Sequence, residues 1–197
     1  MKQILSVLAL AAAACLATPA FAQNFRANLS GPGENPPNPS PGTSLVTIDL
    51  NGTNLTVEAP FSDLVAPTTV AHIHCCTAQA FNGAAAPAIG FADFPTGVQA
   101  GTYSHSFSLS DATTFEPAFL AANGGTATSA TSALLNAINA NEAYVNIHST
   151  LYPNGEIRGF LVAAPIPEPA EWALLVGGLA SLLWIGRRRR WETVWQK

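Results

Sequence analysis

Val46 to Ala59 reads VTIDLNGTNLTVEA, and this stretch constrains the fold more than any other. Val46, Ile48 and Leu50 alternate with Thr47 and Asp49. After Asn51-Gly52, Leu55, Val57 and Ala59 alternate with Asn54, Thr56 and Glu58. A period of two places the apolar set on one face of a strand. Asn-Gly tolerates the positive φ of a tight turn, so the two strands are expected to form a hairpin. The same alternation recurs along the chain. Phe25, Ala27 and Leu29 alternate with Arg26 and Asn28; Tyr103, His105, Phe107 and Leu109 with serines; Val145 and Ile147 with Asn146 and His148. Ile157 to Val162 reads as a last strand. The proline- and glycine-rich run Pro32 to Pro41 cannot enter a central ladder and is expected as loop. Phe115–Ala122 and Ser129–Ala140 carry helical spacing instead, with Leu134, Leu135 and Ile138 as an apolar stripe. The fold class is therefore all-β: an antiparallel, Greek-key-like β-sandwich with one or two short helices that cap an open end.

The two ends of the chain read differently. Residues 1–22, MKQILSVLALAAAACLATPAFA, place Lys2 before an apolar run and close on Ala20-Phe21-Ala22. That order is the pattern of a secretory signal helix cut by signal peptidase, which puts the mature start at Gln23. At the other end, Trp172 to Gly186 carries no charge and runs straight into Arg187, Arg188, Arg189 and Arg190. Fifteen helical residues span about 22 Å, short of a hydrocarbon core of about 30 Å. Interfacial Trp172 and Trp184 and the arginine cluster nevertheless favour a transmembrane helix over 172–186 with its arginine end in the cytoplasm. The domain layout expected is a signal peptide at 1–22, a β-domain at 23–164, a sorting segment at 165–190 and a cytoplasmic tail at 191–197.

Between Gln23 and Ile166 the only cations are Arg26 and Arg158, against nine carboxylates, a net charge of −7. Such a surface cannot neutralise a phosphate backbone, which excludes nucleic acid as partner. The acidity serves solubility outside the cell.

The reactive side chains gather at Ala71–Thr77, AHIHCCT. On a strand His72 and His74 share a face, their Cα atoms about 6.6 Å apart at about 3.3 Å per residue. Two imidazoles at that spacing can converge on one ion, and His148 completes a set of three if its strand lies beside Val70–His74. Three histidines with an open position suit zinc or copper, in a metal carrier or a metal-dependent enzyme. The other reading is a structural staple, in which these histidines and Asn146 bond loop backbone and hold Glu156 and Arg158 in place. No other cofactor is expected. His105, on an apolar face between Tyr103 and Phe107, is expected as a core histidine. For Cys75 and Cys76 three states stand open: a vicinal disulfide (strained, since neighbouring Cα atoms are closer than a disulfide prefers), a link between two chains, or a thiol pair joining the metal. The sequence has no C-x-x-C, G-x-S-x-G, H-E-x-x-H or Walker loop, which leaves no catalytic motif and points away from an enzyme.

Two resemblances follow from these residues. Pro167-Glu168-Pro169, the short apolar helix and Arg187–Arg190 together resemble the PEP-CTERM sorting signal of Gram-negative bacteria. That resemblance implies an exosortase-type membrane protease as partner and inner-membrane anchoring before cleavage. It further implies delivery to the cell surface or matrix of an exopolysaccharide-producing, biofilm-forming cell. Leu29-Ser30-Gly31 with Glu34 and Pro36-Pro37, the hairpin, His72-Ile73-His74, Asn146-Ile147-His148 and Gly155-Glu156-Ile157-Arg158-Gly159 resemble, in this order, the CHRD (chordin-type) domain over about Phe25 to Val162. This implies an extracellular β-rich domain with a binding or structural role, for which exopolysaccharide or neighbouring surface proteins are the expected partners. Cys75-Cys76 departs from the glycine and proline that many members carry there.

Overall fold

Val46, Ile48 and Leu50 point inward from strand β2 (Thr43–Asn51) and Leu55, Val57, Ala59 and Phe61 from β3 (Asn54–Ser62), all buried, while Asp49 and Glu58 face solvent. This is the alternation of the sequence turned into a two-faced sheet. A computed structural model of the chain describes residues 23–164, together with Gly178 and Ser181. The expected signal peptide, PEP motif, membrane segment, arginine cluster and tail lie outside the described residues. Among the described residues no helix is long and apolar enough to cross a membrane.

The β2–β3 hairpin is joined by two residues, Gly52 and Thr53, closed by the pair Asn51↔Asn54. Gly52 has φ of +61° and is the first central residue of the turn, the position that favours glycine in a II′ turn. Asn51 ends the strand, so within the Asn-Gly dipeptide only the glycine takes the positive φ of the turn.

The remaining strands are β1 (Gln23–Ser30), β4 (Thr68–His74), β5 (Pro87–Gly90), β6 (Gly101–Ser108), β7 (Tyr144–Ser149), β8 (Ile157–Phe160) and β9 (Val162–Ala163). All pairings are antiparallel. They run in the order β5-β4-β7-β8-β1-β2-β3-β6, with β9 also on β1. The sandwich-like form expected from the sequence is thus one continuous sheet that curls. Its two ends meet through side chains: Phe91, just after β5, stacks on Tyr103 of β6 with ring centroids 4.9 Å apart, and Phe94 packs against Tyr103 and Phe61. The enclosed face holds one apolar core running from Phe25 to Leu161. Each fully buried Ile, Leu or Val there contributes about 1.5–3 kcal/mol. The last expected strand is interrupted at Leu161, which leaves the ladder with its side chain in the core and separates β8 from β9.

The crossover from β6 to β7 carries both helices. Pro117 opens α1 (Pro117–Ala122) at the first-turn position where a missing N–H costs nothing. Thr126 and Ser129 form a reciprocal capping box at the start of α2 (Ala127–Asn139). Ala130, Leu134, Ala137 and Ile138 are its buried face; Leu135 is only partly covered. Thr131 Oγ1 donates to Leu109 O and ties the helix to the end of β6.

One strand breaks the two-faced rule. All six residues of β7 are buried. Val145 and Ile147 enter the core, so Tyr144, Asn146 and His148 occupy the opposite face, where loops rather than solvent cover them.

Candidate metal centre

The β4–β7 ladder sets Val70 opposite His148, His72 opposite Asn146 and His74 opposite Tyr144. Ala71 and Ile73 fill the core, which leaves His72 and His74 on the covered outer face beside His148. His72 Nδ1 lies 3.2 Å from His148 Nε2. One ligand nitrogen from each of the three histidines falls within 4.8 Å of the others. The ring centroids are 5.1 Å apart for His72–His148, 5.3 Å for His72–His74 and 5.9 Å for His74–His148.

Loop carbonyls fix two of the rings. His74 Nδ1 is 3.0 Å from Ala85 O, and His148 Nδ1 is 2.9 Å from Pro153 O. A carbonyl only accepts, so both Nδ1 atoms carry the proton and both Nε2 atoms keep a lone pair. His74 Nε2 is buried with no partner, an arrangement that normally has an explanation. Tyr144 locks the same ring: it stacks on His74 at 4.7 Å with the planes 4° apart, and its hydroxyl bonds both the N–H and the carbonyl of Ala85 at 3.2 Å.

Burial, and the repulsion of neighbouring His148, push His72 down to about 4; burial does the same to His74, against the pull of its bond to Ala85. Burial also lowers His148. The three imidazoles are therefore neutral at pH 7, the form that ligates metal. A tetrahedral ion at 2.0–2.1 Å from each nitrogen holds its ligand nitrogens about 3.3 Å apart. The His72–His148 separation of 3.2 Å is close to that value, and backbone carbonyls on the second nitrogens are the usual outer support of such ligands. The donor set, three imidazoles and an open position, suits zinc or copper.

Cys75 and Cys76, directly after His74, are bonded to each other as a vicinal disulfide across a cis peptide. Of the three states left open by the sequence the structure has this one, and it leaves no thiolate beside the histidines. Cys75 is buried and Cys76 exposed. His105 is half-buried on β6, its ring against Phe107 at 4.6 Å and Tyr103 at 6.1 Å, and is not one of the convergent three.

The residues grouped as a staple fall into two clusters. Asn146 donates through Nδ2 to both carboxylate oxygens of Glu34 at 3.0 and 3.3 Å, rather than to loop backbone. Arg158, opposite Asn146 on β8, donates to the carbonyls of Gly33 and Gly83 at 3.0 Å, lies 4.0 Å from Glu34, and sits over the Tyr144 ring at 4.6 Å. Burial pushes the Glu34 carboxyl up to about 7, against the opposing pull of Arg158. Gly155, at φ +130°, lets its backbone press on this pair, since a Cβ there would collide with Asn146 and Glu34. Glu156 belongs elsewhere: its Oε1 accepts from Ser40 Oγ and Val65 N, both at 2.6 Å.

Glu34, Tyr144, Ser40 and the carbonyls of Ala85 and Pro153 are the site residues that residue-by-residue reading did not assign a role. Glu34 entered only through its place in a family pattern. A lone carboxylate in a Gly/Pro loop gives no sign in sequence that it will be buried. Comparison with known proteins gives one match: the family model described as the CHRD domain covers residues 25–161. No curated protein and no solved structure matches the chain.

Proposed function

The chain belongs to the CHRD domain family, whose membership fits a non-enzymatic binding or structural domain, and on that premise we propose that this domain binds one transition-metal ion, zinc or copper, through His72, His74 and His148. The observation that carries the reading is the buried, unpartnered Nε2 of His74, on a ring that shares its covered sheet face with two further imidazoles. A structural staple needs only one nitrogen of a ring, and the carbonyls of Ala85 and Pro153 already supply that for His74 and His148. Of the other nitrogens, His72 Nδ1 and His148 Nε2 meet each other at 3.2 Å, and the buried His74 Nε2 has a use only if something lies between it and them.

The module works outside the cytoplasm. This rests on the ordered signal-peptide pattern of residues 1–22 and on the PEP motif, apolar run and arginine cluster of residues 165–190. Signal peptidase and an exosortase-type protease release it at the two ends, and it stays with surface polymer or surface proteins in a binding role, without turnover.

Elemental analysis of the purified protein tests the metal reading. About one equivalent of zinc or copper is expected, retained through gel filtration and lost in His74→Ala and in His148→Ala. Wild-type protein without either metal after incubation with both would overturn it. Mass spectrometry of the product from its native host tests the route: ends at Gln23 and near Pro165–Pro169 are expected, and a product still carrying the arginine cluster would refute it.

A further inference from the structure

Glu116 immediately precedes α1, yet its side chain makes no capping hydrogen bond. Its N–H is anchored to Ala88 O of β5 at 2.9 Å. Its carboxylate lies over Gly90, with Oε1 2.9 Å from the point where a Cβ of residue 90 would stand. His72 is the residue paired with Gly90 across the β4–β5 ladder, and its Cδ2 is 3.8 Å from that same point. The carboxylate thus occupies a position that glycine leaves empty, and the imidazole edge stands at ordinary contact distance from the same position. Cδ2 is bonded to Nε2, the His72 nitrogen remote from His148.

His72 differs from its two partners in one respect. His74 and His148 have their second nitrogens held by backbone carbonyls, and among the described residues His72 Nε2 has no such carbonyl. The proton in the 3.2 Å His72–His148 contact must also come from His72, because His148 carries its own on Nδ1 toward Pro153. A metal ion takes the lone pairs of both contact nitrogens. His72 must then carry its proton on Nε2, and that proton needs an acceptor.

We propose that Glu116 is the positioning residue of the metal centre: it accepts the Nε2 proton of His72 when Nδ1 binds the ion. The proposal rests on the metal reading above. Three neutral imidazoles bring no charge to a divalent cation, and a carboxylate behind one of them supplies it while fixing the ring's tautomer and orientation. Gly90 is part of the device, since a side chain there would separate the two groups. Its φ lies outside the left-handed region, and the only contact under 3 Å that a Cβ would make is with Glu116 Oε1.

Zinc titration of the purified protein by calorimetry, with wild type, Glu116→Gln and Gly90→Ala side by side, tests this. Zinc affinity is expected to fall about 10–100-fold in both variants, while the metal-free melting temperature stays close to wild type. Copper(II)-loaded samples should show altered hyperfine splitting in both. Wild-type zinc binding with unchanged affinity and splitting in both variants would overturn the role of Glu116 and leave the metal reading standing. A wild type that binds neither ion would overturn both. A variant whose metal-free form melts far lower would show Glu116 to be a structural group.

Discussion

His74 stacks face to face on Tyr144, ring centroids 4.7 Å apart and planes within 4°, directly across the β4–β7 ladder. Tyr144 also grips Ala85 through its hydroxyl, and Ala85 O holds His74 Nδ1. One tyrosine therefore fixes a histidine ring twice, by its face and through the loop that sets the tautomer. Tyr144→Phe keeps the stack and loses the loop. A cost of about 1 kcal/mol in stability is expected from the lost hydrogen bonds, with zinc affinity reduced by less than tenfold. Tyr144→Ala removes both constraints and should cost about 3–5 kcal/mol, with a far larger loss of zinc. Urea melts and zinc titrations on the two variants check the ordering.

Glu34 gives the domain a pH dependence. Its carboxyl is raised from 4.5 in the unfolded chain to about 7 by burial, so between those values the folded state binds the extra proton. Stability from this group is complete below pH 4.5 and is lost as pH rises through 7. His72 and His74, lowered to about 4, act in the opposite direction below 6.5. The wild-type curve therefore mixes the two, and the informative quantity is Glu34→Gln minus wild type. That difference should rise by about 1–2 kcal/mol between pH 4 and pH 8, the full shift being reduced by solvent screening. A flat difference in denaturant melts would show that folding leaves the Glu34 carboxyl unshifted, and a difference that falls with pH would show that Arg158 outweighs burial.

Glu156 separates stability from metal binding. It is wholly buried, and its Oε1 satisfies both Ser40 Oγ and the Val65 N–H. Glu156→Ala strands those donors, at a cost of about 3 kcal/mol, or roughly 10 °C in Tm for a domain of this size. Its contacts include none of the three histidines, so zinc affinity in the folded fraction should match wild type. A selective loss of zinc at unchanged Tm would place Glu156 in the metal network.

Much of the fold was legible because period-two alternation maps directly onto buried and exposed faces, as in Phe25–Leu29 and Val46–Ala59. The curl of the sheet was not, because it depends on Phe91 and Tyr103 meeting across residues that share no ladder. The pair His72 and His74 was legible from spacing alone. His148 was legible only as a condition, since its approach requires β4 to pair with a strand about seventy residues later in one particular register. Glu34 and Glu116 were invisible as site residues for a common reason. Each acts from a loop or helix start whose position over the sheet is set by tertiary packing, as Glu116 is by Ala88 and by the missing side chain of Gly90.

X-ray absorption at the zinc and copper edges, on protein loaded with each ion in turn, reads the centre itself. Three imidazole nitrogens at about 2.0–2.1 Å with one further light ligand are expected for zinc, falling to two nitrogens in His74→Ala. A spectrum dominated by water and carboxylate oxygens, or one unchanged in His74→Ala, would contradict the assignment of His72, His74 and His148 as a metal centre.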